Sequence, residues 1–309
     1  MLHSPVLQPS NLTPGIPMIS ADLHTHTRFS DGHLAPMELV QRALEREVSH
    51  LAITDHDCVH ALYELEEASI PDGLRLIPGV EISCNWPDTG SGREIHIVGL
   101  FIDHHEPGLC RLLARQQDLR RERALEIDAR LRKNGIHGLS EYLETLPCRA
   151  LSRNHVADFL IAEGLARDKK QAFKRLLGKQ GRYSAASHWC GVATAVEHIR
   201  GAGGVAVLAH PDRYRLGRNL FRRLLDDLQE AGGEALEVSY SNLNPDTLHH
   251  LATVAQEREL WASVGSDFHS PAQHWMDLGR IRQLPTRVAE RAIWHHPLWQ
   301  ADRMMTSSG

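Results

Sequence analysis

The chain has 309 residues, enough for one large domain or one domain carrying an insertion. Its formal net charge of −5 gives no general attraction to nucleic acid, so any such binding must come from a local patch. Five scattered cysteines (Cys58, Cys84, Cys110, Cys148, Cys190) contain no CxxC pair, which excludes a zinc finger or a disulfide framework and points to reduced thiols in the cytoplasm.

Residues 1–18 hold four prolines and no Lys or Arg. They lack the basic start and apolar core of a signal peptide and read as a loose tail. No run is long enough to span a membrane. Ile19–Leu23 is a short apolar strand ending in His24-Thr25-His26, where side chains two apart share a face. Asp31 follows, with Gly32 able to turn the chain back. A helix begins near Pro36, its apolar face marked by Leu39, Val40, Ala43 and Leu44. His50–Thr54 is a strand ending in Asp55-His56-Asp57, and Ala61–Ala68 is a helix. Leu74–Ser83 is a strand region that Pro78-Gly79 interrupts and that carries Glu81. Glu94–Ile102 is a strand with His96 near its start. The alternation is an α/β pattern.

From Pro107 the texture changes to a long charged helix reaching about Lys133, with Leu109, Leu112, Leu113, Leu119, Leu125 and Leu131 apolar, and to further helical segments. We read 105–190 as a helical insertion, 19–104 and 191–290 as the α/β domain, and 291–309 as a C-terminal tail. Alternation resumes with a helix at Ala195–Arg200 and the strand Val205–Ala209, which ends in His210-Pro211. A helix at Leu220–Leu228, a strand at Ala235–Tyr240, a helix at Pro245–Glu257 and a strand at Trp261–Val264 follow. The last runs into Gly265-Ser266-Asp267-Phe268-His269.

With 21 histidines, only their placement informs. Almost every predicted strand ends in a metal-ligand type: His24, His26, Asp31, Asp55, His56, Glu81, His96, His210, Asp267 and His269. In a β/α barrel the C-terminal strand ends meet at one face, which holds the site. Asp55 and Asp57 read as supporting groups beside His56, and His104, His105, His249, His250, His295 and His296 as solvated. Several cations need carboxylates to offset their repulsion, and Asp31, Glu81 and Asp267 supply three. Mixed N/O ligation suits Mn²⁺, Fe²⁺ or Zn²⁺. Water held between such metals becomes a nucleophile near neutral pH, so phosphate-ester hydrolysis is the natural reaction and amide hydrolysis the second.

The ordered stretches HTH, SDG, TDHD, PGVEIS, EIHIVG, RNHVA, LAHP and GSDFH, between about Ile19 and Leu284, resemble the PHP (polymerase and histidinol phosphatase) phosphoesterases. Within that family, TDHD, LIPGVEIS, EIHIVGL, VLAHPDRY and LWASVGSDFH are most similar to members that act on 3′,5′-nucleoside bisphosphates and degrade RNA from its 5′ end. The resemblance implies a distorted seven-stranded β/α barrel with three divalent ions, Mn²⁺ first, and a hydroxide bridging them. His24, His26, Glu81 and Asp267 would hold one ion. Glu81, His96 and His155 would hold a second, and Asp31, His56 and His269 the third. His210 would contact phosphate or donate a proton. Arg153 and Arg213 are the phosphate-binding candidates. Asp168–Arg182 carries six basic residues against one acid, with Phe173 and Tyr183 placed to stack a base. The expected activity is removal of the 3′-phosphate from nucleoside bisphosphates and 5′→3′ trimming of short, single-stranded, 5′-phosphorylated RNA. The alternatives are a small-molecule phosphatase such as histidinol phosphatase, and an RNA-binding accessory module.

Overall fold

The computed structural model describes residues 19–87 and 92–306. The expected N-terminal tail lies outside them. The elements run β1 (Ala21–Asp22), α1 (Pro36–Glu45), β2 (His50–Ile53), α2 (His60–Glu66), β3 (Arg75–Trp86), β4 (Arg93–Leu100), α3 (Pro107–Arg132), α4 (Leu139–Glu144), α5 (Arg153–Ala162), α6 (Lys169–Ala172), β5 (Cys190–Gly191), α7 (Val192–Gly201), β6 (Val205–Leu208), α8 (Arg218–Glu230), β7 (Ala235–Tyr240), α9 (Pro245–Glu257), β8 (Trp261–Gly265) and α10 (Pro297–Thr306).

The sheet order is β1-β2-β3-β4-β6-β7-β8, with the two-residue β5 pairing on β3. Strand β4 runs antiparallel to both β3 and β6, and the other ladders are parallel. Past the strand ends, Asp267 donates its N–H to the His24 carbonyl at 2.8 Å and His26 to that of Phe268 at 2.9 Å. These bonds join the first strand to the last and close a mixed seven-stranded barrel.

Strand alternation divides the core in two. Leu51, Ile53, Val80, Ile82, Ala206, Leu208, Leu236 and Val238 face the surrounding helices. Ala52, Ile77, Val98, Val205, Val207 and Ala235 fill the barrel interior. The same parity turns Glu81 and Glu237 inward, from the middle of β3 and β7. Pro78-Gly79 does not interrupt β3, which is continuous through Trp86. A Cβ on Gly79 would lie 2.8 Å from Thr54 Cγ2, so the glycine lets the two strands approach at this point.

Helices start where the chain supplies caps. Proline opens α1, α3 and α9, and Glu106 and Asn244 accept N–H bonds at the starts of α3 and α9. The buried seam of α3 is Leu109, Leu113, Gln116, Arg120, Ala124, Ile127 and Leu131. The leucine pattern of the sequence misplaces part of it, since Leu125 is 60% exposed. Leu109 and Leu113 pack on the barrel. Ala124, Ile127 and Leu131 pack with Leu139, Leu143, Val156, Phe159, Leu160 and Leu177 in a separate helical core. Between the two cores sit Gln116 and Arg120, whose polar groups are used below.

The segment after residue 290, read from the sequence as a tail, is packed instead. Ile293 and Trp299 are fully buried against the barrel interior, and His296, expected to be solvated, is buried with its ring edge-on to Trp261. Truncating Trp299 removes the largest of these side chains. Trp299→Ala is expected to cost about 3–5 kcal/mol, read as a lowered urea midpoint with an unchanged slope.

Candidate metal centre

Glu81 is fully buried, and five imidazoles surround its carboxylate. His24 Nε2 lies 3.2 Å from Oε1, His96 Nδ1 2.8 Å and His210 Nε2 3.0 Å. His56 Nδ1 lies 2.8 Å from Oε2, and His26 Nε2 3.4 Å. Asp267 Oδ1 lies 3.1 Å from His26 Nε2 and 3.5 Å from His24 Nε2. Asp31 Oδ1 lies 3.2 Å from His269 Nε2 and 3.7 Å from His56 Nε2. The strand-end residues of the sequence reading therefore meet at one barrel mouth, apart from Asp55.

His155 does not join them. It sits in the first turn of α5, where its Nδ1 accepts the Ser152 N–H at 3.1 Å. Its neighbour Asn154 reaches the cluster instead, donating Nδ2–H to Asp31 Oδ2 at 2.7 Å. His210 takes the place beside Glu81 and His96 that the family resemblance gave to His155. Its backbone is in the uncommon positive-φ region (φ 26°), and Glu237 Oε2 accepts its N–H at 2.6 Å.

Glu237 is the supporting residue that the sequence reading missed. Its other oxygen lies 3.1 Å from His24 Nδ1, so it orients the His24 imidazole while holding the His210 backbone in place. A lone acid in the mostly apolar run Ala235–Tyr240 was the available signal. Gly265 makes room for this contact, because a Cβ there would lie 2.2 Å from His24 Cβ and 2.7 Å from Glu237 Oε1. Asp55 and Asp57 are supports, not ligands. Asp55 accepts from the Thr27 N–H (2.7 Å), the Thr27 hydroxyl (2.5 Å) and the Ser30 hydroxyl (2.6 Å), and so orders the loop between His26 and Asp31. Asp57 accepts from the Ser83 N–H (2.9 Å), Gln116 (3.2 Å) and Arg120 (2.8 Å), which pins α3 to β3 directly behind Glu81.

Burial alone would raise the Glu81 carboxyl, but His56, His96 and His24 outweigh it and hold it well below the usual range. Burial likewise opposes ionisation of Asp31, yet His56 and His269 keep it an anion. His26 is pushed down to about 3 by burial and by the charge on His269. Burial would lower His96 and His269 as well, but Glu81 lifts His96 to about 10 and Asp31 lifts His269 to about 9.

The donor set fits divalent metal. His24 Nε2, His26 Nε2, His56 Nδ1, His210 Nδ1, Asp31 Oδ1 and Glu81 Oε2 are buried and make no hydrogen bond. Three overlapping sets have ligand atoms within 4.8 Å of one another: His26-Asp31-His56-His269, His24-His26-Glu81 and His56-Glu81-His96.

One cleft opens from this centre. Asp31, His56 and His96 form its floor, and Arg123, Arg153, Phe173 and Trp189 line its wall. Glu94 pairs with Arg153 at 3.1 Å and Arg123 at 3.5 Å, which leaves two cations to one carboxylate. The Arg153 guanidinium lies over Phe173, and that of Arg123 over Trp189. Tyr183, expected to stack a base, is buried in the helical core and is unavailable for this. Lys169 of the basic segment pairs with Asp158. Arg213 stands on the other side of the centre, bonded to Asp267 and lying over the Tyr240 ring.

Buried imidazoles and carboxylates converging at the mouth of a mixed barrel define a metal-dependent hydrolase of phosphoric esters. The chain belongs to the PHP domain family, whose model matches residues 22–183. It is 41% identical to the 5′-3′ exoribonuclease Rnm of Escherichia coli, over 92% of this chain and 95% of that protein. It is 40% identical to a 3′,5′-nucleoside bisphosphate phosphatase of Chromobacterium violaceum, over 90% and 96%. A solved structure from Chromobacterium violaceum, described as an amidohydrolase with bound sulfate and no metal, superposes with a TM-score of 0.82. That chain shares 38% identity, with 91% of this chain and 96% of that one covered.

Because His96 and His269 hold protons at neutral pH when no metal is bound, metal entry must displace them. Loading metal-free protein at pH 7 is expected to release protons, and affinity should rise with pH. Calorimetry in buffers of different ionisation enthalpy checks both.

Proposed function

We propose that this chain removes the 3′-phosphate from 3′,5′-nucleoside bisphosphates and, by the same cut, releases mononucleotides stepwise from the 5′ end of short, single-stranded, 5′-phosphorylated RNA. The observation that carries this reading is the cationic cleft of Arg123 and Arg153, which shares its floor with the metal centre. The names of the two relatives describe the two halves of the activity.

Three divalent ions would be held, with Mn²⁺ the first choice and Fe²⁺ or Zn²⁺ compatible with the mixed N/O donors. The geometry supports His24, His26, Glu81 and Asp267 for one, Glu81, His96 and His210 for the second, and Asp31, His56 and His269 for the third. In this assignment His210 replaces His155. When bound, such ions neutralise phosphoryl charge and acidify water.

The chain's own residues do the rest. Arg123 and Arg153 hold the 5′-phosphate through charge-assisted bonds. Phe173 and Trp189 give the nucleoside apolar walls. Glu237 fixes the orientation of His24, and Arg213 offers a cation beside Asp267 to the scissile phosphate. Hydrolysis breaks the bond between phosphorus and the 3′ oxygen. Water's oxygen stays on phosphorus, and the 3′ oxygen leaves as a hydroxyl. The product is a 5′-mononucleotide, with either free phosphate or an RNA one residue shorter that again carries a 5′-phosphate. The five cysteines are free thiols, which suits a cytoplasmic location.

Adenosine 3′,5′-bisphosphate and a short 5′-phosphorylated RNA should both be hydrolysed with Mn²⁺ and neither with chelator. Adenosine 3′-monophosphate should be cut at least about tenfold more slowly, because one charge-assisted anchor is missing. Equal rates on the two adenosine nucleotides would sink the 5′-phosphate reading, and turnover of histidinol phosphate alone would replace it. A second expectation separates the two histidines. His210→Ala should lower turnover about a hundredfold or more, whereas His155→Ala should stay within about tenfold of the parent in the same assay.

A further inference from the structure

The same rim of strand ends carries a second groove that the proposed reaction leaves unused. Tyr240 comes from the end of β7, Asn242 and Asn244 from the turn into α9, and Trp275, Arg280 and Arg282 from the loop after β8. Trp275 sits in a short 3₁₀ turn and is 54% exposed, an unusual position for a large aromatic ring. Arg280 donates to the His274 carbonyl and Arg282 to the Leu243 carbonyl, and among the described residues neither guanidinium pairs with a carboxylate. The acid of this loop, Asp277, is taken by Arg42 and Arg46 at 2.8 and 2.7 Å. Asn242 adds an exposed amide group, and Asn244, whose carbonyl oxygen caps α9, is exposed beside it. An exposed indole flanked by two cations and amides matches single-stranded nucleic acid, whose bases stack and whose phosphates seek guanidinium groups.

Position fixes which part of the strand this would be. Tyr240 belongs to the groove, lies under Arg213, and through it connects to Asp267 of the metal centre. The Arg123–Arg153 cleft opens from the centre past Asp31, His56 and His96, on the side of β4, α3 and α5. The groove opens on the side of β7 and β8. A strand anchored by its 5′-phosphate in the cleft, with its scissile phosphate at the centre, meets this groove if it continues to the β7–β8 side.

Building on the exonuclease reading above, we propose that this groove holds the nucleotides immediately 3′ of the scissile phosphate, with Trp275 stacking a base and Arg280 and Arg282 meeting the backbone. A nucleoside bisphosphate ends at the scissile phosphate and does not reach it. The groove therefore distinguishes RNA from the small substrate without touching the reacting atoms.

The test measures kcat/KM of the Mn²⁺-loaded enzyme on adenosine 3′,5′-bisphosphate and on a 5′-phosphorylated hexaribonucleotide. Trp275→Ala should lower the value for the hexamer about tenfold, mainly through KM, and leave the bisphosphate unchanged. Trp275→Phe should restore most of the loss. Arg280→Ala combined with Arg282→Ala should weaken the hexamer alone and flatten its salt dependence. Parental values for Trp275→Ala on the hexamer, or equal losses on both substrates, would overturn the groove assignment while leaving the exonuclease reading in place. A parent enzyme that hydrolyses the bisphosphate but no RNA would overturn both.

Discussion

One buried carboxylate sets the conditions for the whole barrel mouth. Glu81 brings a negative charge to a place from which water is excluded, and such a charge persists only with dense compensation. Five imidazoles from four separate parts of the chain supply the contacts. Imidazoles share protons or metal, and the orphaned nitrogens around Glu81 show that protein groups alone do not satisfy the set. The closure of the sheet, the tight packing at Gly265 and the positive φ of His210 and Asp267 all serve to bring these groups within reach. Backbone in that region costs of order 1–3 kcal/mol per residue and persists where the surroundings impose it.

The helical unit is registered to this centre by a second buried charge. Asp57, itself at positive φ, gathers the Ser83 amide, Gln116 and Arg120, and Arg120 also bonds the Ser83 hydroxyl and the Leu151 carbonyl. Helix α3 passes from the barrel core to its own core at this junction. The same helix then presents Arg123 to the cleft, while α5 brings Arg153 and Asn154. The polar interruption of the α3 seam thus joins the buried His/Glu/Asp cluster to the Arg123–Arg153 cleft.

Much of this was legible in the sequence, because strand ends are easy to see. A short apolar run that stops in His-x-His or Asp-x-His announces both the strand and the face it serves. The ordered motifs added the family. Legibility failed where partners are distant in sequence. The motif places His155 in the ligand set, yet its Nδ1 accepts the Ser152 N–H in the cap of its own helix; the strand-end pattern already counts His210, which the folded chain brings beside Glu81. Glu237 gave a weak sign as a lone acid in an apolar strand. Tyr183 and Trp299 looked like surface or tail residues, since composition cannot say which aromatic a second core will absorb. Leucine spacing misjudged α3, because Gln116 and Arg120 hold its buried positions where the two cores meet.

The most direct test of the account is anomalous diffraction at the manganese edge from crystals grown with Mn²⁺. The account predicts anomalous peaks on both sides of the Glu81 carboxylate, one shared with His24, His26 and Asp267 and another with His96 and His210, and a third among Asp31, His56 and His269. No peak at Glu81, or a peak held by His155 with His210 turned away, would contradict it.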